Sequence, residues 1–356
     1  MKLHPLMAPS DPAERGRVIG TSYGECVRAT SARYLRHFEL LGIPASRVRE
    51  IADSSRAALQ AWAPDLAIEA DALAQAAGLT PWRVAAVGAR TEVLAVAAPA
   101  GEGECSTAVY APAQGAPETI QTWDWHRELA TDGLLLELTT SEGRGVKLFT
   151  EFGTAAKIGV NDRGLGLHFN ILRHHSDNGG GGVPVHAIAR RILEEATTIE
   201  EARSIAASAP VSASTVVTVA TFHEGVAEAA SIEMSPAGVA AVEPGDDGWL
   251  LHTNHFLAPG LRDGDAAAVL STTQERFEHL RSVRAAMTGL DPVDRAAAFC
   301  GAAGAAAPVC VRPDGSKPIQ EQWETLLTIA IDVSGFALDY REGTPDEAAA
   351  QGLKRF

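Results

Sequence analysis

The stretch APAGEGE-CSTAVYAP, residues 98–112, divides the chain into two textures. Its first half, 98–104, is small, flexible and acidic, the composition of an exposed loop. Its second half opens with Cys105 and predicts a strand. Upstream, residues 31–97 predict helices and carry few strand signals. Tyr34, Leu35, Phe38 and Leu41 recur at spacings of three and four, and Gly42 and Pro44 then supply a stop. Segments 48–62, 68–77 and 82–96 continue that pattern, with Thr80-Pro81 as a helix start.

Downstream, strands are expected at 119–123, 134–140, 146–152 and 164–171, separated by turn signals at 142–145 and 161–164. Helices at 185–196 and 198–207 precede a β block at 214–233 and 239–251. Helices at 271–288 and 291–300 follow, then strands at 326–332 and 336–340. Blocks of strands separated by helix pairs predict an α+β protein with layered sheets covered by helices, not alternating βαβ units.

The chain has 356 residues, 46% of them hydrophobic, enough to bury a large core. Its 45 acidic residues against 30 basic ones give a formal net charge of -15, which repels phosphate backbones and anionic lipid. Nucleic-acid and membrane partners are therefore not expected. The start, MKLHPLMAPSDPAERG, lacks the apolar run of a signal peptide, and no uninterrupted apolar segment reaches membrane-spanning length. A cytoplasmic location is the expectation. Cys26, Cys105, Cys300 and Cys310 show no C-x-x-C spacing and read as free thiols.

Cys105 stands where a flexible loop meets a strand. A thiol there can attack the carbonyl of its own preceding peptide bond, and hydrolysis of the thioester leaves Cys105 N-terminal. The freed α-amino group, with an ordinary pKa of about 7.7–8.0, then serves as base for the thiol of the same residue. On spacing alone, a buried structural cysteine is the commoner outcome.

The motifs around it change that balance. GECSTAVY (103–110), TWDWH (122–126), HTNH (252–255) and RTE (90–92) resemble the penicillin acyltransferase family, the cysteine branch of the N-terminal nucleophile (Ntn) hydrolases. EFGTAAKIGVNDRGLGLHFNIL (151–172), GVPVHAIARRILE (182–194) and IEMSP (232–236) follow the family's central segments in order. The resemblance runs from about Gly16 to Tyr340. It implies a four-layer αββα sandwich with an N-terminal helical segment. Residues 1–104 would be an α-subunit retained after a cut between Glu104 and Cys105, and 105–356 a β-subunit holding the catalytic core.

It further implies Cys105 as nucleophile, Thr107 hydrogen-bonding near the reacting centre, and Asp124 orienting the new amine or supporting self-cleavage. Asn254 would donate to the oxyanion, and His126, Ser235 and Arg312 would border the substrate. No cofactor is implied. The substrate is a small N-acyl amine, amide or acyl thioester, and the two fragments are each other's partner. Two departures stand out. The family's Ile-Cys-Arg setting is here Val309-Cys310-Val311-Arg312, with the arginine one step late. His126 occupies an expected aromatic position. The alternatives are a metal-dependent hydrolase using His252 and His255, which lack an H-E-x-x-H frame, and a non-catalytic binding protein on the same scaffold.

Overall fold

The computed structural model describes residues 1–97, 104–267, 271–319 and 322–356; the expected loop at 98–104 lies outside them up to residue 103. The N-terminal segment comprises β1 (Lys2–Ala8), α1 (Pro12–Leu40), α2 (Ala45–Trp62), α3 (Pro64–Ala76), α4 (Pro81–Gly88) and α5 (Arg90–Leu94). Next come β2 (Glu104–Tyr110), β3 (Glu118–Trp125), β4 (Asp132–Thr139), β5 (Gly145–Glu151), β6 (Ile158–Asn161) and β7 (Leu165–Ile171). Helices α6 (Val185–Glu195) and α7 (Ile199–Ser208) lead to β8 (Thr215–His223), β9 (Val226–Ser235), β10 (Gly238–Val242) and β11 (Trp249–His252). The chain then forms α8 (Pro259–Arg262), α9 (Thr273–Val283), α10 (Pro292–Cys300), β12 (Glu324–Asp332), β13 (Ala337–Glu342), α11 (Pro345–Gln351) and β14 (Lys354–Arg355).

The strands form two sheets, one in the order β1-β4-β5-β6-β7-β8-β9-β10 and the other β11-β2-β3-β12-β13-β14. Side-chain alternation along each strand sorts residues into separate cores. Leu134 and Leu136 of β4 pack outward with Ile188 and Ile192 of α6. Leu135, between them, points inward with Phe149 and Val160 to meet Trp123, Leu327, Ile329 and Ile331 of the facing sheet. On the far side of that second sheet, Ala108, Ile120 and Trp249 pack with Leu280 of α9 and Phe299 of α10. Helix, sheet, sheet, helix is the resulting order: an αββα sandwich. No helix among the described residues is long and apolar enough to cross a membrane.

Several elements depart from the sequence expectation. β1 forms where few strand signals exist, because β4 supplies a parallel partner from Lys2↔Asp132 to Ala8↔Leu138. Its Pro5 is tolerated because β1 is an edge strand. β6 is a short strand just ahead of the 161–164 turn, too brief to register as a pattern. The 214–233 block resolves into β8 and β9 around Glu224-Gly225, both at positive φ (51° and 84°), the backbone of a two-residue hairpin turn.

Helix α1 starts cleanly, with the Asp11 side chain accepting from Glu14 N and Pro12 in the first turn. It then lies directly on α3. A Cβ at Gly16 would sit 2.1 Å from the Glu69 carbonyl oxygen, and one at Gly20 would sit 2.7 Å from Ala76 Cβ. Gly16→Ala therefore sets two effects against each other. Helix propensity favours alanine by about 1 kcal/mol, while overpacking against backbone costs about 1–3 kcal/mol. A backbone carbonyl cannot rotate away, so a net loss of stability is expected in urea unfolding. An unchanged or raised midpoint would contradict the close approach.

Candidate active site

Cys105 is the second residue of β2 and pairs with Trp123 of β3, while Glu104 pairs with Asp124. Alternation sends the Cys105 and Val109 side chains into the space between the sheets and Ala108 toward the α9–α10 layer. The main chain of Cys105 is held on both sides. Its N–H donates to Asn254 Oδ1 at 2.8 Å. Its carbonyl accepts from Arg276 Nη1 at 2.6 Å and from Asn170 Nδ2 at 3.2 Å. Arg276 Nη2 also donates to Asn254 Oδ1 at 3.0 Å. Both partners of that oxygen can only donate, which fixes the carboxamide's orientation. Asn254 Nδ2 accordingly donates to Ile171 O at 2.9 Å.

Thr107 Oγ1 donates to Asn170 Oδ1 at 2.8 Å. Asn170, on β7, thus bridges the two sheets, since its Nδ2 also reaches Thr253 O at 3.1 Å. Glu104 is anchored in the opposite direction, into the start of α9. Its carboxylate accepts from Ser271 Oγ and Thr272 N, both at 2.8 Å, and from Thr272 Oγ1 at 2.5 Å. Arg276 Nη2 stands 3.4 Å away. Burial raises the Glu104 pKa, but Arg276 and the Thr272 and Ser271 donors outweigh it and leave the carboxyl below its usual value. Asp124 has less help: among the described residues no strong donor reaches either carboxylate oxygen. Burial pushes its carboxyl up to about 7, against Arg276 and Thr325.

On the thiol's side of the sheet lies a buried charge cluster. Lys157 Nζ sits 3.7 Å from the centroid of the Trp123 ring and 3.1 Å from Glu151 Oε2. Arg90 binds the same Glu151 oxygen at 2.9 Å, and the Tyr34 hydroxyl donates to Oε1 at 2.5 Å. Burial would raise the Glu151 pKa, yet Arg90 and then Lys157 hold it at about 2. Burial drives Lys157 down to about 7 despite Glu151. The Cys105 thiol is pushed up to about 12 by burial, with Lys157 pulling the other way.

The loop carrying Asn254 is pinned from beneath by Glu233 of β9. Glu233 Oε1 meets His252 Nε2 at 2.8 Å and accepts from Leu257 N at 2.7 Å, and Oε2 accepts from Ala258 N at 3.1 Å. His252 Nδ1 lies 3.0 Å from Thr253 O, and His255 Nδ1 lies 2.9 Å from Thr273 Oγ1. Both His252 nitrogens are thus engaged with loop-fixing groups.

The remaining expected residues lie elsewhere. His126 is buried, with Nδ1 at 2.8 Å from Gln322 O and its ring 4.9 Å from that of His37. Ser235 ends β9 and accepts from Ala237 N at 3.2 Å in the turn to β10. Arg312 is in irregular backbone, 3.0 Å from Asp346, on a cleft of about 880 Å³ that Trp323 and Thr325 also line. Among the described residues, the arginine that reaches Cys105 is Arg276, which no motif singles out. TQERFEHLRSV reads as an ordinary charged helix, and only its docking on β2 buries that one guanidinium.

Residues 114–346 match the family model of acyl-coenzyme A:6-aminopenicillanic acid acyl-transferase. The chain belongs to this family. The matched segment begins downstream of Cys105 and takes in Asp124, Lys157, Asn170, Asn254 and Arg276. The acyl-coenzyme A:6-aminopenicillanic-acid-acyltransferase 40 kDa form of Emericella nidulans is 29% identical over 184 residues, covering 49% of each chain. The chain thus spans about half the length of that relative. Solved structures with looser likeness are a Caenorhabditis elegans ortholog of N-acylethanolamine-hydrolyzing acid amidase and a penicillin V acylase from Agrobacterium tumefaciens. The first has a TM-score of 0.45 at 12% identity, covering 65% of this chain and 93% of the other. The second has a TM-score of 0.36 at 14% identity, covering 67% and 83%.

In this acyltransferase-family chain, the Glu104–Arg276 contact makes a pH prediction with a definite sign. Glu104 has a folded pKa below its unfolded value, so its stabilisation is complete above the unfolded pKa and fades as pH falls through the folded one. Arg276→Met leaves that carboxylate buried without its cation, at a cost of about 3–5 kcal/mol near pH 7. Protonation relieves the penalty, so the deficit should shrink toward pH 4. Urea unfolding in a Cys105→Ala background measures it. A deficit independent of pH would contradict the assignment.

Proposed function

We propose that this chain is a self-cleaving Ntn-type amide hydrolase or acyltransferase that works through a thioester on Cys105. The observation that carries the reading is the two-sided clamp on the Cys105 main chain, with Asn254 on its N–H and Arg276 and Asn170 on its carbonyl. A structural cysteine needs no such clamp. A residue whose own peptide bond is to be attacked, and whose nitrogen becomes a base afterwards, does.

In this reading the Cys105 thiol attacks the Glu104 carbonyl carbon, the C–N bond breaks toward the Cys105 nitrogen, and water releases Glu104 as a carboxylate. The freed amine stays beside Asn254 Oδ1 and takes the thiol proton in later turnovers. This removes the obstacle that burial sets by pushing the thiol to about 12 in the uncut chain. Cys105 then attacks the acyl carbonyl of an N-acyl amine, amide or acyl thioester, and Asn254 donates to the oxyanion. Such a donor is worth about 3–4 kcal/mol in a transition state. Asp124 supports the junction from the helical side, and Thr107 holds Asn170 in place. The family's name, which couples an acyl thioester with an amine, supports that substrate class.

Residues 1–104 and 105–356 stay together as α and β fragments. Support comes from buried ties across the junction: Arg90–Glu151, Tyr34–Glu151, Glu69–Arg190 and the capping of Val185 N by Glu92 at 2.8 Å.

The test is a panel of N-acyl amino compounds and acyl thioesters, with acid quench and mass analysis. We expect an acyl adduct on Cys105, and Cys105→Ala should reduce turnover by at least about a thousandfold. Chelators should leave the rate unchanged. Turnover that survives Cys105→Ala but not a chelator would transfer the chemistry to a metal site such as His252 and His255.

A further inference from the structure

Self-cleavage, as proposed above, contains a gap. The α-amine that serves as base in turnover does not exist until the peptide bond is cut, so the first thiol deprotonation needs another acceptor. We propose that Lys157 is that acceptor, removing the Cys105 thiol proton in the uncut chain. The inference rests on the proposed function and extends it to the maturation step.

Geometry selects Lys157 over its neighbours. Cys105 and Trp123 are register partners whose side chains share the inter-sheet core, and Lys157 Nζ lies 3.7 Å from the Trp123 ring. Opposed residues have Cβ atoms only about 4.5–5.5 Å apart, which puts the amine on the thiol's side of β2. Asp124 is the register partner of Glu104 and so projects to the other face. Glu151 is ionised but already accepts from Arg90, Lys157 and Tyr34. His186 lies 3.0 Å from Ala156 O through Nδ1 and stacks on Phe169 at 4.6 Å.

The charge balance points the same way. The Arg90 guanidinium from α5 already pairs with the Glu151 carboxylate of β5, and Tyr34 from α1 and His186 from α6 add no anion that would hold a proton on Lys157. Burial holds Lys157 at about 7, so a free amine is present at neutral pH. Taking the thiol proton yields an ammonium beside a thiolate, a neutral pair that Glu151 stabilises. The thiolate then forms the C–S bond to Glu104, and the proton held by Lys157 passes to the departing Cys105 nitrogen as the C–N bond breaks. Lys157 ends neutral, and water resolves the thioester.

The experiment follows fragment formation by mass in freshly translated full-length chain, across pH 5–9. Wild type should cut with a rate that rises through about pH 7. Lys157→Met should slow cutting by about 10²–10⁴-fold and lose that inflection, the range for removing a general base. Lys157→Arg keeps the charge but cannot give up a proton at these pH values, so it should fail equally. Rates are taken on the folded fraction isolated by size exclusion. Cutting by either variant at the wild-type rate would overturn the inference while leaving the Cys105 mechanism intact. A wild-type chain that never cuts would instead remove the proposed function on which it rests.

Discussion

One buried guanidinium organises the junction. Arg276 reaches from α9 through the outer layer and touches the Cys105 carbonyl, Ser106 Oγ, Asn254 Oδ1 and the Glu104 carboxylate at once. A charge so deeply buried is tolerable only with a counter-ion and saturated donors. Glu104 supplies the counter-ion, and the β2 and 253–258 segments supply the acceptors. The chain on either side of the Glu104–Cys105 bond is thereby fixed to a helix start, a loop and a neighbouring strand. Any chemistry at that bond begins from one geometry.

The opposite face of β2 carries a second charge cluster with a different character. Glu151 gathers Arg90, Lys157 and Tyr34, and Trp125 Nε1 closes the set by donating to the Tyr34 hydroxyl at 2.9 Å. Its members come from both sides of residue 104, so the cluster is a tie between segments as well as an electrostatic environment for the thiol. β1 makes the same connection through the backbone, since it completes a sheet whose other strands all lie beyond Cys105. A cut at the junction would leave these contacts in place.

The fold was largely readable in the chain because alternation and helical spacing are local signals. The strands from 119 to 171 and the helices at 185–207 emerge within a few residues of their expected ends. β1 was not readable, because it exists only through a partner distant in sequence, and β14 was not, because its two residues are too few to carry a pattern. The site divides in the same way. Cys105, Thr107, Asp124 and Asn254 stand in short motifs; Cys105 and Asn254 meet directly, and Thr107 joins them through Asn170. Asn170, Lys157 and Arg276 carry no local mark: an asparagine in a strand, a lysine before a strand and an arginine in a charged helix are ordinary until packing buries them. Arg312 illustrates the converse, since its position beside a cysteine drew attention while the fold turns it to Asp346.

The proposed chemistry turns on Cys105 cutting its own preceding peptide bond. Intact-mass spectrometry of freshly purified protein addresses it most directly. Two co-purifying fragments that meet between Glu104 and Cys105 are expected, and a single full-length chain for Cys105→Ala. A fully active wild-type chain with an unbroken backbone across residues 104 and 105 would contradict it.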